Sequence, residues 1–270
     1  MNRVSKIFCI VGLVAVIGGS ITLGVGMAQG GVFRRFTKAE KKTKQFVINE
    51  ENLKNNKVVL EDIEISIKSG NIRLFESEDE NLIINYTYAI DEKRIFFPSV
   101  EKPFYIVEKN RAIDWLSLDF LIDNDSFVDI YIPNWFNGKY NLETLNGEVY
   151  CNLKEYKNDL FINSGSSYVE ISEFSYSKNM DISVFSGNVV IDASSFSKMN
   201  EQNLYYIETV NGDLDFVMPY GVSFSYNYEK VTGKMHNSCT ICESEKCPYI
   251  SFSTAVSYTH LRAHETRHDL

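Results

Sequence analysis

Ile182 and Val184 lead into Ser186-Gly187 and out again through Val189 and Ile191, and this figure of alternating apolar residues around a small or amide residue plus glycine recurs along most of the chain beyond Gln45. Ile63, Ile65 and Ile67 lead through Ser69-Gly70-Asn71 to Ile72 and Leu74; Tyr140 and Leu142 lead through Asn146-Gly147 to Val149. Leu160 and Ile162 lead through Ser164-Gly165 to Val169 and Ile171, and Ile207 leads through Asn211-Gly212 to Leu214 and Phe216. A weaker copy runs from Phe224 and Tyr226 through Thr232-Gly233 to Met235. From Gly147 onward the glycines return at intervals of roughly 20 residues, the scale of one coil of a solenoid. Asn-Gly and Ser-Gly supply positive φ at little steric cost, so the chain turns sharply between strands whose alternate residues face a shared core.

The expected fold is therefore all-β, a β-solenoid-like (β-helix) repeat domain, with polar spacers such as 154–158 and 195–203 joining one copy to the next. The same local sequence also suits a hairpin-built β-sandwich, because Asn-Gly between alternating runs is the strongest short hairpin signal. The stretch 90–127 breaks the repeat with Phe96-Phe97-Pro98-Ser99, Pro103, Trp115 and many aromatic residues, and reads as an insertion or extended hairpin. With 270 residues, 44% of them hydrophobic, one large domain and an anchor are sufficient. A formal net charge of −9 leaves no broad basic surface for phosphates, which speaks against nucleic-acid binding.

After a short tail (1–6), the chain is uncharged from Ile7 to Ala28 and long enough to cross a hydrocarbon core of about 30 Å as a helix. The expected transmembrane helix is 7–29. A cleaved signal peptide competes, with small residues at Gly26 and Ala28, but the apolar run exceeds the usual h-region. Residues 30–56 read as a basic juxtamembrane linker carrying Arg34, Arg35, Lys38, Lys41, Lys42 and Lys44. Taken literally, these charges place the body in the cytoplasm; alternatively they lie against anionic headgroups on either leaflet. The β-repeat domain is assigned to 57–255.

Val128-Asp129-Ile130-Tyr131-Ile132-Pro133, followed by Leu142-Glu143-Thr144-Leu145-Asn146-Gly147-Glu148-Val149 and its near copy Ile207-Glu208-Thr209-Val210-Asn211-Gly212-Asp213-Leu214, resembles the bacterial putative-adhesin β-repeat family, also called the DUF4097 family. A strand ending in proline recurs at Phe216-Val217-Met218-Pro219, and Met27-Ala28-Gln29-Gly30-Gly31 resembles the anchor boundary of Gram-positive members. The resemblance spans roughly residues 1–235. It implies an outward-facing, single-pass cell-membrane protein with a β-solenoid and no enzymatic activity.

Little in the chain invites chemistry. Cys239 and Cys242, with Cys247 and His236, approximate a four-ligand zinc knuckle, while a disulfide between two of these cysteines or a plain reduced loop fits equally. Cys151 reads as a small buried hydrophobe and Cys9 lies in the anchor. His236 is the one histidine of the body, which speaks against histidine-based triad chemistry. Glu76 and Glu78, or Asp123 and Asp125, read as solvated loop charge, since Asp123-Asn124-Asp125 lacks the glycine and distal glutamate of a calcium loop. No catalytic, cofactor-binding or metal residue is assigned, and an enzyme acting on polysaccharide would need two close carboxylates in a cleft.

Residues 256–270 stand apart. Val256-Ser257-Tyr258-Thr259-His260-Leu261-Arg262-Ala263-His264-Glu265-Thr266 matches, residue for residue, one translated frame of a common transposase-type sequencing adapter. The tail reads as adapter read-through, with the natural continuation beyond Ala255 unseen. The expected role is non-catalytic: adhesion to, or scaffolding of, an unknown protein or cell-envelope polymer, with Tyr131, Tyr150 and Tyr168 as contact residues if they point outward. A membrane-stress sensor or regulator is the alternative.

Overall fold

The computed structural model describes residues 41–58, 60–88, 95–99, 104–108, 126–153, 158–172, 179–194, 204–218, 222–242 and 247–263. The expected membrane helix 7–29, Trp115, Asp123, Asp125 and most of both spacers lie outside these residues. Among the described residues no helix is long and apolar enough to cross a membrane.

The fold is all-β, with one short helix among the described residues. Its centre is a run of strands stacked in parallel: β2 (Asp62–Ser69) and β3 (Asn71–Glu76), then β8 (Lys139–Asn152), β9 (Leu160–Ser172), β10 (Asn179–Ser186) with β11 (Val189–Asp192), β12 (Leu204–Asn211) with β13 (Leu214–Met218), and β15 (Tyr249–Ala263). Each stretch before the turn pairs with the one before the turn in the neighbouring coil, and likewise after it. Two ladders result, one through β2, β8, β9, β10, β12 and β15, the other through β3, β8, β9, β11, β13 and β15. Asn-Gly does not close hairpins here. β12 pairs with β10 and β15, β13 pairs with β11 and β15, and neither pairs with the other across Asn211-Gly212.

The period of two in the sequence becomes a set of stacked inward columns. Ile65, Leu142, Ile162, Ile182, Ile207 and Phe252 stand in register, as do Leu74, Cys151, Ile171, Ile191, Phe216 and Leu261; all are buried. Each such side chain contributes about 1.5–3 kcal/mol by leaving water. A one-residue slip would turn every one of them outward, so the register is strongly specified.

The turns stack too. Gly70, Gly147, Ser167, Gly187 and Gly212 occupy one level, coil upon coil. Gly187 and Gly212 hold φ of 144° and 154°, and a Cβ on them would stand 1.7 Å from the carbonyl oxygen of Ser167 and 1.9 Å from that of Gly187, so glycine is required on both counts. The turn is sealed between coils. Thr144 and Thr209 each donate their hydroxyl to the carbonyl of the glycine one coil back, Gly70 and Gly187, at 3.2 and 3.3 Å. Asn71 and Asn188 each accept the next coil's amide, from Glu148 and Asp213, at 3.0 and 2.9 Å. In the third coil the glycine expected at the turn, Gly165, is two residues early: Ser167 takes the turn level and its hydroxyl bonds to Ser164.

Order in space departs from order in sequence at both ends. β6 (Tyr105–Glu108) and β7 (Phe127–Ile132) flank β2 and β3 on the side away from β8; β5 (Ile95–Phe96) adds antiparallel to β6, while β4 (Asn81–Tyr88) and then β1 (Lys42–Asn49) add antiparallel to β7. The described part of the linker expected over 30–56 is thus ordered structure. Phe46 and Ile48 pack on the core, Lys44 on the same side sets its ammonium over the Phe97 ring at 3.9 Å while Lys41 and Lys42 are exposed, and the chain continues into α1 (Glu50–Asn56), whose amide at Asn52 is capped by Asn49 at 2.7 Å and whose end is set by Lys57 in the left-handed region, φ 55°. At the other end β14 (Ser225–Asn237) pairs along its length with β15, which lies between β14 and the β12 and β13 coil. β15 runs on through 256–263, the stretch that matches adapter; Thr259 and Leu261 alternate inward there and meet the edge of β13.

Candidate functional site

Outward residues also stack, and they give the molecule two patterned faces. On the β2 to β15 ladder the outward row just before the turn reads Lys68, Leu145, Gly165, Phe185 and Val210. The displaced glycine of the third coil therefore opens a gap in an otherwise filled row. A cavity of about 250 Å³ runs along this row, lined by Leu145, Gly165 and Phe185 and also by Ser66, Lys68, Glu143, Asn163 and Glu108. Leu145 and Phe185 are 54% and 67% exposed, a large apolar area to leave in water. Ser66 donates to the Glu143 carboxylate at 2.8 Å, which holds that charge beside the cavity.

Glu108 is buried, and both its oxygens hold donors: the Tyr86 hydroxyl at 2.6 Å and the Lys68 amide at 2.9 Å. Burial, and the Glu108 charge beside it, push the Tyr86 phenol far upward, so it stays a donor at any ordinary pH. Sequence reasoning missed this residue because it lay in the supposed insertion. The signal was present: Phe104, Ile106 and Glu108 share one parity, and the first two are core. Leu145 and Phe185 are likewise missed from sequence, where Gly165 reads as the turn of its coil.

The other face carries the tyrosines singled out from sequence. Tyr131, Tyr150 and Tyr168 do point outward, each half-buried. Tyr150 and Tyr168 lie 6.2 Å apart, Tyr131 stacks on Phe75 at 5.5 Å, and Arg73 between the pairs holds Asp129 through two bonds of 2.6 and 2.8 Å. Tyr150 donates to Glu148 at 2.8 Å; partial burial, that bond and the charges of Glu148 and Glu170 push its phenol up to about 12, and Tyr168 is raised by burial and by Glu170.

The cysteine cluster resolves differently from a zinc knuckle. Cys242 and Cys247 are joined in a disulfide, Cys239 is a half-buried thiol raised by that burial, and the His236 ring stacks on His260 at 5.3 Å. With Cys242 and Cys247 bonded to each other the disulfide alternative is the one present, and no group of three potential metal ligands occurs among the described residues. Cys151 is buried in its ladder, as a small hydrophobe.

No family model and no curated protein matches this chain. Solved structures do. The fold is similar to that of a putative cell adhesion protein from Clostridium sporogenes, with 12% identity over 83% of this chain and 100% of that one and a TM-score of 0.50. Putative adhesins from Parabacteroides merdae and Bacteroides fragilis align over 84% and 83% of this chain and 98% and 97% of theirs, each at 10% identity, with TM-scores of 0.35 and 0.34. Likeness at such identities is likeness of fold.

Proposed function

We propose that this chain is a single-pass, membrane-anchored β-solenoid of the putative-adhesin (DUF4097) kind that works by binding at the cell surface, in adhesion or as an envelope scaffold, and not by catalysis. The observation that carries the reading is the coil-by-coil register of outward residues, which repeats side chains along two long faces at about the 4.8 Å strand spacing suited to an extended partner. The shared fold with a protein described as a cell adhesion protein supports it. The anchor is the apolar run 7–29, and residues 256–270 are read as adapter-derived, a point that resequencing the gene decides.

A membrane-stress sensor or regulator is the second reading, favoured by the basic residues Arg34, Arg35, Lys38, Lys41, Lys42 and Lys44, which the positive-inside rule would keep in the cytoplasm. One experiment separates the two. A tag inserted in the spacer 154–158 is probed with an impermeant reagent before and after permeabilisation. Labelling of intact cells is expected; labelling only after permeabilisation would remove adhesion and leave a cytoplasmic regulator.

A further inference from the structure

We propose that the cavity over Gly165 is a docking site for an extended basic peptide, one aliphatic or aromatic side chain of which seats between Leu145 and Phe185. This rests on the binding reading above, though not on which side of the membrane the domain lies.

Size is the first ground. Small-molecule sites usually run from about 300 to 1,000 Å³, and at about 250 Å³ this cavity suits a single large side chain better than a whole ligand. Neighbouring strands of a ladder lie about 4.8 Å apart, so Leu145 on β8 and Phe185 on β10 are rooted about 10 Å apart with the bare backbone of Gly165 between them, and the lining continues past Leu145 to Lys68 on β2.

Gly165 is the second ground. Unlike Gly187 and Gly212, it has no left-handed φ, so no turn demands it. It is required by the close approach of β8, because a Cβ there would lie 2.6 Å from the Leu145 carbonyl oxygen and 2.8 Å from the Leu145 side chain leaning over it, and it leaves the outward row without a side chain at this position. The row keeps large apolar residues on both sides of the gap, mostly exposed, where polar ones would cost nothing in the core.

Charge chooses the partner. Among the described residues of β2, β8, β9, β10 and β12, the outward positions before the turn carry Asp62, Glu64, Glu143, Asp181 and Glu208 against Lys68 and Lys139. An anionic envelope polymer would be repelled by this face, whereas lysines or arginines flanking an apolar side chain would meet carboxylates on either side of the slot.

The test titrates the full chain in lipid nanodiscs with a labelled peptide, Lys-Lys-Phe-Lys-Lys with blocked ends, against the same peptide with Ala for Phe and against one with Glu for Lys. The Phe peptide is expected to bind about tenfold or more tightly than either control. Phe185→Ser and Leu145→Ser should each lose about tenfold for the Phe peptide only, and Glu143→Gln should lose about threefold while flattening the salt dependence. Because both apolar side chains are mostly exposed, urea midpoints of the variants should match the parent. Equal binding of the Phe and Ala peptides, indifference to Phe185→Ser, or no saturable binding would overturn the proposal, as would an uncharged N-acetylglucosamine hexamer that binds more tightly and is lost with Phe185→Ser. Surface labelling fails or succeeds independently: peptide binding by a domain labelled only after permeabilisation would sink adhesion and leave this site standing.

Discussion

The run of coils from β8 to β13 and the N-terminal region from β1 to β7 share the same strands and the same kind of core, yet are held together by opposite means. In the first, every coil lies beside its neighbour in sequence, pairs in parallel, and shares one turn level. In the second, β4 and β1 run antiparallel, β6 and β7 sit on the far side of β2 and β3, and a buried carboxylate, Glu108, ties Tyr86 on β4 to the Lys68 amide on β2. Repetition specifies the first region; particular side chains specify the second. A defect in a repeated turn should therefore be felt through backbone packing, and one in the N-terminal region through an unpaired polar group.

The sharpest way to break the comparison is at the turn level. Gly212→Ala places a Cβ against the Gly187 carbonyl with no side chain able to yield, and should cost at least ~3 kcal/mol in urea denaturation; a loss under about 1 kcal/mol would mean that the turn levels are not packed as described. Next is Glu108→Ala, which strands the Tyr86 hydroxyl and the Lys68 amide and should cost about 2–4 kcal/mol. In a double-mutant cycle, Tyr86→Phe should return part of that loss, since the two residues share one hydrogen bond.

The smallest effect lies on the outer tyrosine face of β8, the coil where the two regions meet. Tyr150 ionises at about 12 in the folded state against about 10 unfolded. Between those values the folded chain holds the proton and the unfolded chain releases it, so this contribution is fully present below about pH 10 and is lost as pH rises through about 12. Phenolate absorbance, taken as the difference between the parent and Tyr150→Phe, should show this tyrosine titrating late, and Glu148→Gln should move it down toward 10 by removing the hydrogen-bonded charge.

The same contrast explains what could be read from residues alone. Ile65, Leu142, Ile162, Ile182 and Ile207 announce their column because alternation is a local property, and so does the turn at Asn211-Gly212. The third coil misleads: Ser164-Gly165 looks like its siblings, and only the pairing of Gly147 with Ser167 shows that the glycine has left the turn and entered the outer row. Nothing within Lys42–Asn49 says that its partner is Asn81–Tyr88, because strand choice at that end depends on residues far along the chain. For the cavity, Leu145 and Phe185 each look like ordinary pre-turn residues. Their meaning lies in the glycine between them, one coil from each.

Because β2 and β3 have β6 and β7 on one side and β8 on the other, the earliest parallel coil made by the ribosome is an interior layer of the finished stack. Strands made after it are added on both of its sides, β6 and β7 on one and β8 on the other. The antiparallel side is built from strands that precede and follow that coil within about a single domain's reach, and so is fixed in length. The parallel side advances by one alike unit at a time, so gene duplication or deletion of a unit such as β10 with β11 would lengthen or shorten the molecule without disturbing the seed or its far side. The length of the stack is thereby separable from its folding, and a lineage could tune one without redesigning the other.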